Sequence, residues 1–293
     1  MPEQSRLVVK KLTPTIGAEI SGADLTQPLE SAVVREIEEI LFDNQVVFFR
    51  NQPMTLEQQI RFGKYFGDLY IHPAAGKTTT PIGEGRPKPY ASALEDHPEV
   101  IKIYADEKSV QAAGEEWHSD VMSEDKPPMG SILRIDELPS VGGDTLFASM
   151  YAAYEALSEP MKRFLEPFTA VQDGMKTYGV KSAFDNSRQY PRSEHPIVRT
   201  HPVTGRQSLF LSSAFTTRIV QLSPSESDAL LKFLFDHVKN SLFQCRFRWE
   251  KDSVAFWDNR CTLHQAQWDY FPHRRVGYRV QIIGDKPFYR SGQ

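Results

Sequence analysis

The segment Trp-His-Ser-Asp-Val at residues 117–121 places an imidazole, His118, and a carboxylate, Asp120, two positions apart. On an extended segment, side chains at positions i and i+2 point to the same face, so both groups can reach one ion. A third ligand must then come from a distant part of the chain. An H-x-D pair also occurs by chance as a hydrogen-bonded surface pair, so its surroundings decide its meaning.

Short apolar and β-branched runs lie on both sides of this segment, separated by turns that contain Gly and Pro. These runs predict strands at residues 6–12, 17–22, 45–49, 100–104, 131–135, 145–148, 197–200, 208–211, 245–249, 253–257 and 277–283. Apolar residues at helical spacing predict helices at 30–42, 58–66, 150–164 and 223–239. Many short strands with a few helices favour a mostly-β fold with flanking helices, either a β-sandwich or a jelly roll.

Two stretches break this pattern. Residues 74–99 and 174–194 are rich in Gly, Pro, Lys and Ser and show little apolar periodicity. Loops of this length inside a compact domain are usually functional or disordered, so both stretches are candidate lids. Because neither is a linker between two cores, a single domain over residues 1–293 is predicted.

The composition is that of an ordinary soluble protein. Of the 293 residues, 40% are hydrophobic and 25% are charged, and the formal net charge is −4. The mildly acidic chain lacks the broad positive field of nucleic-acid-binding proteins. Its longest tightly apolar run, residues 46–49, is too short to span a membrane, and the first twelve residues contain no apolar signal segment. Two cysteines are too few for a disulfide framework, which favours a cytoplasmic location. The charge and the short apolar runs together predict neither nucleic-acid nor membrane partners.

The best candidate for the third ligand is His264, which follows a predicted strand and the turn Asp258-Asn259-Arg260. Two histidines and one aspartate on one face of an ion form the facial triad that holds iron(II) and leaves three positions open. A cosubstrate can chelate the metal through these positions, and oxygen can bind beside it.

Two further residues suit a dicarboxylate cosubstrate. Thr145 follows Gly142-Gly143-Asp144, and Arg275 lies on the approach to the last long predicted strand, eleven positions after His264. A dicarboxylate that binds the metal through one end needs a cation and a hydroxyl at its other carboxylate. Arginine offers a planar pair of donors for this purpose, and threonine offers one more.

Taken together, the motifs resemble those of the iron(II)/2-oxoglutarate-dependent dioxygenases, specifically the taurine dioxygenase (TauD/TfdA) family. The resemblance extends over nearly the whole chain. It rests on residues 17–26 (GAEISGADLT), 117–121 (WHSDV), 142–145 (GGDT), 215–219 (FTTRI), 257–260 (WDNR) with His264, and 284–290 (GDKPFYR). The resemblance implies a double-stranded β-helix, or jelly roll, that uses Fe(II), 2-oxoglutarate and O₂.

The resemblance also implies a role for each matching residue. The proposed metal ligands are His118, Asp120 and His264, and the proposed 2-oxoglutarate contacts are Thr145 and Arg275. The proposed substrate contacts are His72 and Arg279 for the anionic group, Tyr178 and Phe215 as aromatic walls, and the Val121 amide. The predicted reaction is hydroxylation of a small anionic molecule, with release of succinate and CO₂ and often with fragmentation of the product. The resemblance further implies a homo-oligomer.

The chain departs from the taurine-specific pattern at two positions. Ala75 and Gly114 stand where a tyrosine and an asparagine complete the taurine pocket. Both changes remove polar groups and volume, which weakens discrimination for a small polar substrate. A wider pocket is therefore expected, with sulfonates, sulfate esters and aryloxy or other carboxylates as candidate substrates.

Two alternatives from other classes remain at this point. A zinc hydrolase could use the same three ligands, although the chain has no H-E-x-x-H motif and the pair Thr145 and Arg275 would then have no role. A non-catalytic jelly-roll binding protein would not need three metal ligands. The other charged residues of interest are predicted to be structural or ion-paired: His97, His195, His201, His237, His273, Arg246, Arg260 and Arg274.

Overall fold

The computed structural model describes residues 7–72, 91–109, 112–179 and 190–291. The strands in these ranges are β1 (Val8–Lys11), β2 (Ala18–Ser21), β3 (Val46–Phe49), β4 (Ala91–Ala93), β5 (Val100–Ala105), β6 (Gly130–Glu137), β7 (Thr145–Ser149), β8 (Thr169–Asp173), β9 (Arg192–Pro196), β10 (Val198–Thr200), β11 (Gln207–Leu209), β12 (Thr216–Ile219), β13 (Gln244–Phe247), β14 (Val254–Asp258), β15 (Thr262–Ala266) and β16 (Arg275–Ile282). The helices are α1 (Ser31–Asn44), α2 (Leu56–Lys64), α3 (Met150–Glu155), α4 (Glu159–Leu165) and α5 (Pro224–His237).

Two sheets carry the residues that matter for function. The larger sheet has eight strands in the order β1-β2-β3-β14-β6-β16-β5-β4, and all its neighbours are antiparallel except β2 and β3. A smaller sheet has the order β13-β7-β15. Two further small sheets have two strands, β10-β11, and three strands, β12-β8-β9.

Side chains of β3 show how the larger sheet is covered on both faces. Val46 and Phe48 pack in a buried cluster with residues of β7 and β13 of the smaller sheet. Val47 and Phe49 point the other way and pack in a cluster with α1 and α2. Alternate residues of a strand point to opposite faces, so a continuous apolar run is what a strand covered on both sides requires. The two sheets therefore face each other, and α1 and α2 cover the outer face of the larger one.

Helix α2 begins where the sequence predicts a capped helix. The Thr55 hydroxyl accepts a hydrogen bond from the Gln58 backbone N–H at 3.3 Å, and the Gln58 side chain accepts one from the Thr55 N–H at 2.7 Å. This reciprocal capping box satisfies two N–H groups that have no partner within the helix.

The prediction of one helix over residues 150–164 is wrong. The structure has two helices, α3 and α4, and Ser158 caps the second by accepting from the Met161 N–H at 3.4 Å. Pro160 lies in the first turn of α4, where a residue without an N–H is tolerated but from which a preceding helix cannot continue unbroken.

Several strands were not anticipated from the sequence, namely β4, β8, β9, β12 and β15. Strands β4 and β9 shorten the two predicted loops at 74–99 and 174–194, and a short π-helix covers Met175–Gly179. Residues 74–90 and 180–189 of those loops lie outside the described residues. Within the described ranges, no helix combines the length and the apolar character that a membrane span requires.

Candidate active site

The three predicted metal ligands meet between the two sheets. His264 is the central residue of β15, and His118 pairs with it through an isolated β-bridge. The His118 N–H donates to the His264 carbonyl at 3.1 Å, and the His264 N–H donates to the His118 carbonyl at 2.7 Å. The two imidazole centroids lie 4.1 Å apart, and Asp120 follows on the same segment.

The donor atoms fit a single ion. The Nε2 atoms of His118 and His264 each lie 3.8 Å from Oδ1 of Asp120, and the ligand atoms of all three residues lie within 4.8 Å of one another. Two imidazole nitrogens and one carboxylate oxygen form the donor set of an iron(II) facial triad. The geometry therefore fits the metal that the sequence predicted.

Both imidazoles are prepared to act as neutral ligands. The Nδ1–H of His118 donates to the Glu116 carbonyl at 2.7 Å, which leaves the Nε2 lone pair directed at the site. Burial lowers the pKa of His118 to about 4, and burial together with the neighbouring His118 holds the pKa of His264 well below its usual value. Neutral imidazole is the form that binds a metal.

The carboxylate of Asp120 is held in its charged form. Burial acts to raise its pKa, but the positive charge of Arg279 opposes burial and holds the pKa of this carboxyl below its usual range. Arg279 donates to Oδ1 of Asp120 at 2.5 Å, and the Ser131 hydroxyl donates to Oδ2 at 2.6 Å. Charge-assisted hydrogen bonds of this kind favour the ionised form.

Arg275 and Thr145 lie in the same cavity as the triad, with hydrogen-bonding capacity to spare. Arg275 is buried and donates from Nε to the Gly143 carbonyl at 3.2 Å, while its Nη2 is buried without a hydrogen-bond partner among the described residues. The indole N–H of Trp249 donates to the Thr145 hydroxyl at 2.9 Å. Because that hydroxyl already accepts a hydrogen bond, its proton remains available for an acceptor in the cavity.

A cavity of about 380 Å³ connects these groups. Nine of the ten predicted site residues line it: His72, His118, Asp120, Thr145, Tyr178, Phe215, His264, Arg275 and Arg279. Burial, followed by the positive charge of Arg279, lowers the pKa of His72 to about 4. An anion placed near these two residues would therefore meet a neutral imidazole and a guanidinium.

The cavity walls are aromatic on one side. The Tyr178 ring lies 5.8 Å from the His72 ring and 5.6 Å from the Phe215 ring, both edge to face. Small side chains of β4 and Ile101 and Ile103 of β5 line another part of the wall. Val121, which has a positive φ of 52°, is buried and is not among the described residues that line the cavity, so a role for its amide stays a prediction.

Of the two departures from the taurine pattern, Gly114 is described and Ala75 lies outside the described residues. Gly114 lines the cavity with a φ of +83°, and a Cβ atom there would lie 3.0 Å from Cε1 of His118. A side chain at this position would strain the backbone and press on a metal ligand. The glycine therefore leaves this side of His118 open.

Sequence reasoning missed three residues that support the site: Ser131, Asn259 and Trp249. Asn259 belongs to the quoted WDNR motif, and Ser131 and Trp249 lie in or next to predicted strands. Polar side chains within otherwise apolar runs were the available signal, since buried polar groups need a partner. The Arg279–Asp120 contact was also missed, because spacing along the chain does not show which residues of separate strands meet.

A mostly-β fold with facing sheets and a two-histidine, one-carboxylate centre defines a class, the non-haem iron oxygenases. The chain belongs to one family within it: residues 9–281 match the model of the taurine catabolism dioxygenase TauD, TfdA family.

Known proteins of this family are similar to nearly the whole of this chain. An alpha-ketoglutarate-dependent sulfonate dioxygenase of Saccharomyces cerevisiae is 33% identical over 296 residues, covering 96% of this chain and 68% of the yeast protein. An alpha-ketoglutarate-dependent sulfate ester dioxygenase of Pseudomonas putida is 33% identical over 304 residues, covering 100% of this chain and 94% of that protein. A crystal structure of a taurine dioxygenase from Burkholderia xenovorans superposes with a TM-score of 0.82 at 36% identity, covering 99% and 93% of the two chains.

These similarities confirm the family, the jelly-roll fold and the enzyme class predicted from the sequence. The protein is an oxidoreductase of the Fe(II)/2-oxoglutarate-dependent dioxygenases, with O₂ as the second cosubstrate. The zinc-hydrolase and non-catalytic alternatives are thereby set aside.

Proposed function

We propose that His118, Asp120 and His264 hold Fe(II), and that the enzyme hydroxylates a small anionic substrate in the adjoining cavity. The observation that carries this proposal is that three ligand atoms within 4.8 Å of one another share a cavity with two guanidinium groups. A metal centre beside two cationic groups suits a reaction in which both the cosubstrate and the substrate are anions.

Arg275 and Thr145 would bind the distal carboxylate of 2-oxoglutarate. The unpartnered Nη2 of Arg275 supports this role, because a buried charged donor without a partner is costly and is relieved when an anion binds. Thr145 would add a hydrogen bond from the hydroxyl that Trp249 orients.

His72 and Arg279 would bind the anionic group of the substrate, with Tyr178 and Phe215 as walls and the Val121 amide beside it. Arg279 contacts Asp120 in this structure, so a substrate anion would share this guanidinium with the metal ligand. Small and apolar residues of β4 and β5 on the cavity wall support a substrate with an apolar body. The candidates are sulfonates, sulfate esters and aryloxy or other carboxylates.

Bound Fe(II) would activate O₂, the oxidant, one oxygen atom of which enters a substrate C–H group to give C–OH while the other enters succinate as 2-oxoglutarate loses CO₂. The residues of the chain orient both anions and exclude water, which is the protein's share of a cofactor reaction. Segments 74–99 and 174–194 would act as lids, and their described parts, Ala91–Ala93 and Tyr178, already line the cavity. Hydroxylation next to a sulfonate or ether oxygen would give a product that fragments.

The test measures succinate formation by the purified protein with Fe(II), 2-oxoglutarate and O₂. The substrate panel contains an alkylsulfonate, an alkyl sulfate, an aryloxyacetate and a neutral alcohol of matched length. We expect one or more anions, but not the alcohol, to stimulate succinate release. If no anion on the panel stimulates it, the proposed substrate class is wrong.

The same assay tests the ligands. We expect His118→Ala, Asp120→Ala and His264→Ala each to lower turnover by more than about 100-fold, which exceeds the usual effect of residues that only support a ligand. The exposed His273 provides a matched control, and His273→Ala should retain full turnover. Full iron-dependent turnover in any triad variant would show that the assigned ligand set is wrong.

We also propose that residues 1–293 form a single dioxygenase domain in a cytoplasmic homo-oligomer. The family match across residues 9–281 supports one domain, and two free, buried cysteines, Cys245 and Cys261, suit a reducing compartment. The oligomer is supported by resemblance alone. Size-exclusion chromatography with light scattering tests it, and a monomer at micromolar concentration would contradict it.

A further inference from the structure

The two carboxylate oxygens of Asp120 have different surroundings. Oδ1 faces the Nε2 atoms of both histidines at 3.8 Å and accepts a hydrogen bond from Arg279 Nη1 at 2.5 Å, whereas Oδ2 accepts a hydrogen bond from the Ser131 hydroxyl at 2.6 Å. Ser131 lies on β6 and is fully buried, and it does not line the cavity. Its hydroxyl therefore donates to the Asp120 carboxylate from the side that faces away from the cavity.

A directional chain of hydrogen bonds fixes this hydroxyl. The Nδ2 group of Asn259 donates to Ser131 Oγ at 2.9 Å, and the Trp257 indole N–H donates to Asn259 Oδ1 at 2.9 Å. An indole N–H can only donate, so the amide of Asn259 must present its oxygen to Trp257 and its NH₂ to Ser131. Gln281 Nε2 is a second, longer donor to Ser131 at 3.4 Å.

These hydrogen bonds fix the direction in which the Ser131 hydroxyl donates. A hydroxyl has one proton, and because Ser131 Oγ already accepts from Asn259, that proton goes to Oδ2 of Asp120. All three supporting side chains are buried, so no solvent competes with these bonds. The Trp257 ring also packs 4.8 Å from the His264 ring, so one residue supports two of the proposed ligands.

We propose that Asn259, acting through Ser131, is a positioning residue that holds Oδ2 of Asp120 away from the metal and presents Oδ1 as the single carboxylate ligand atom. This inference rests on the proposed function, in which Asp120 is a metal ligand. Without these hydrogen bonds, the Asp120 carboxylate can rotate. It can then offer both oxygens to the metal, or turn both towards Arg279.

The experiment titrates the purified, 2-oxoglutarate-free protein with Co(II) and records the affinity and the visible d–d spectrum, which reports coordination. We expect Ser131→Ala to weaken Co(II) binding by about 10- to 100-fold, the range seen when a residue that orients a metal ligand is lost, and to change the spectrum. Asn259→Ala should act in the same direction. Ser131→Thr keeps the hydroxyl and should restore most of the affinity.

Ser208→Ala is the matched control, because Ser208 is equally buried and donates to the Arg260 carbonyl at 3.3 Å, away from the triad. Ser208→Ala should bind Co(II) like the unchanged protein. The metal-free Ser131→Ala and Ser208→Ala variants should have similar thermal unfolding midpoints. Wild-type affinity and spectrum in both Ser131→Ala and Asn259→Ala would overturn the inference while leaving the proposed ligands intact. Failure of the unchanged protein to bind Co(II) would overturn the inference together with the proposed function.

Discussion

Two buried clusters in this protein contain the same residue types, an aspartate with arginine and histidine, and differ in how completely their groups are paired. One surrounds Asp120 in the cavity. The other surrounds Asp258, at the end of β14, and includes Arg260 and His201. Both carboxyl groups are held below their usual pKa against the effect of burial, Asp120 by Arg279 and Asp258 by Arg260.

The cluster of Asp258 is saturated. Arg260 donates to both carboxylate oxygens, at 2.9 Å and 2.7 Å, and His201 Nε2–H donates to Oδ2 at 3.0 Å. Nδ1 of His201 in turn accepts backbone N–H groups of Val203 and Thr204. Because both carboxylate oxygens of Asp258 and both ring nitrogens of His201 are paired, this cluster is built to stabilise the fold, in line with the ion-paired and structural roles predicted for Arg260 and His201.

The cavity around Asp120 is unsaturated. Arg279 Nε and Arg275 Nη2 are buried without hydrogen-bond partners among the described residues. Buried polar groups are normally paired, so unpaired ones clustered in a cavity indicate a missing ligand. Composition does not separate the two clusters, but the degree of pairing does.

The largest expected effect is a loss of folding stability when Asp258 is removed from the saturated cluster. Asp258→Ala leaves Arg260 buried without its carboxylate, which should reduce the free energy of unfolding by about 3–5 kcal/mol. Denaturant unfolding measures it. Asp120→Ala, measured in the metal-free protein, is the comparison and should cost clearly less, because its cluster is already incomplete. Equal losses in the two variants would remove the distinction between the clusters.

The next effect concerns the unsaturated Arg275. Arg275→Ala should raise the 2-oxoglutarate KM by at least about 30-fold, since removing one partner of a buried charged pair costs 2 kcal/mol or more. Arg279→Ala should instead weaken the primary substrate and leave the 2-oxoglutarate KM nearly unchanged. Steady-state succinate assays measure both, and the reverse pattern would show that the two arginines have each other's role.

A smaller effect is expected at Trp249. Trp249→Phe removes the N–H that orients the Thr145 hydroxyl while keeping an aromatic ring, so the 2-oxoglutarate KM should rise about 5-fold, the value of one hydrogen bond of about 1 kcal/mol. The Fe(II) requirement should not change. Phe247→Leu offers a packing control in the same buried cluster, because it removes the contact with the Arg50 guanidinium, 4.3 Å from the ring, and keeps the N–H of Trp249. An unchanged KM in Trp249→Phe would mean that Thr145 needs no such orientation.

The smallest effect concerns a buried histidine outside both clusters. Burial lowers the pKa of His195, whose Nε2–H donates to the Glu124 carbonyl while Nδ1 has no hydrogen-bond partner among the described residues. Its folded-state pKa lies below the unfolded value, so its contribution to stability is present above the unfolded pKa and is lost as the pH falls. In His195→Gln, the stability should therefore fall less between pH 7 and pH 5 than it does in the unchanged protein. Thermal unfolding across this range measures the slope, and an unchanged slope would contradict the assignment.

Much of the fold could be predicted because strand and helix patterns are local. The run Val46–Phe49 and the cap at Thr55 contain enough information within a few residues to identify β3 and the start of α2. Strand β15 was missed although it carries His264, because Thr-Leu-His-Gln-Ala has no clear alternation and its pairing partner, β7, is far away in sequence. The boundary between α3 and α4 was readable from Ser158 and Pro160 but was outweighed by the apolar spacing around it.

The site was predictable where motifs name residues and unpredictable where three-dimensional contact decides. The triad and Arg275 were predicted from their residue types and spacing, whereas Arg279 was assigned only through the family resemblance. The support of Asp120 by Ser131 and Asn259 has no such signature in the sequence, because Ser131 lies on β6, Asn259 directly follows β14, and the register of these two strands brings the side chains together.

Strand β16 fixes the distance between Arg275 and Arg279. Arg275 and Arg279 are four residues apart on it, and regular pairing with β5, from Arg275 with Ala105 to Arg279 with Ile101, keeps them on one face about 13 Å apart along the strand. The spacing between the two proposed anion-binding positions is therefore set by the backbone of β16. Insertion or deletion of one residue between them would turn one guanidinium to the opposite face of the sheet. Side chains of the cavity wall can therefore be exchanged without altering the distance between the two guanidinium-bearing positions, because the backbone of β16 sets that distance.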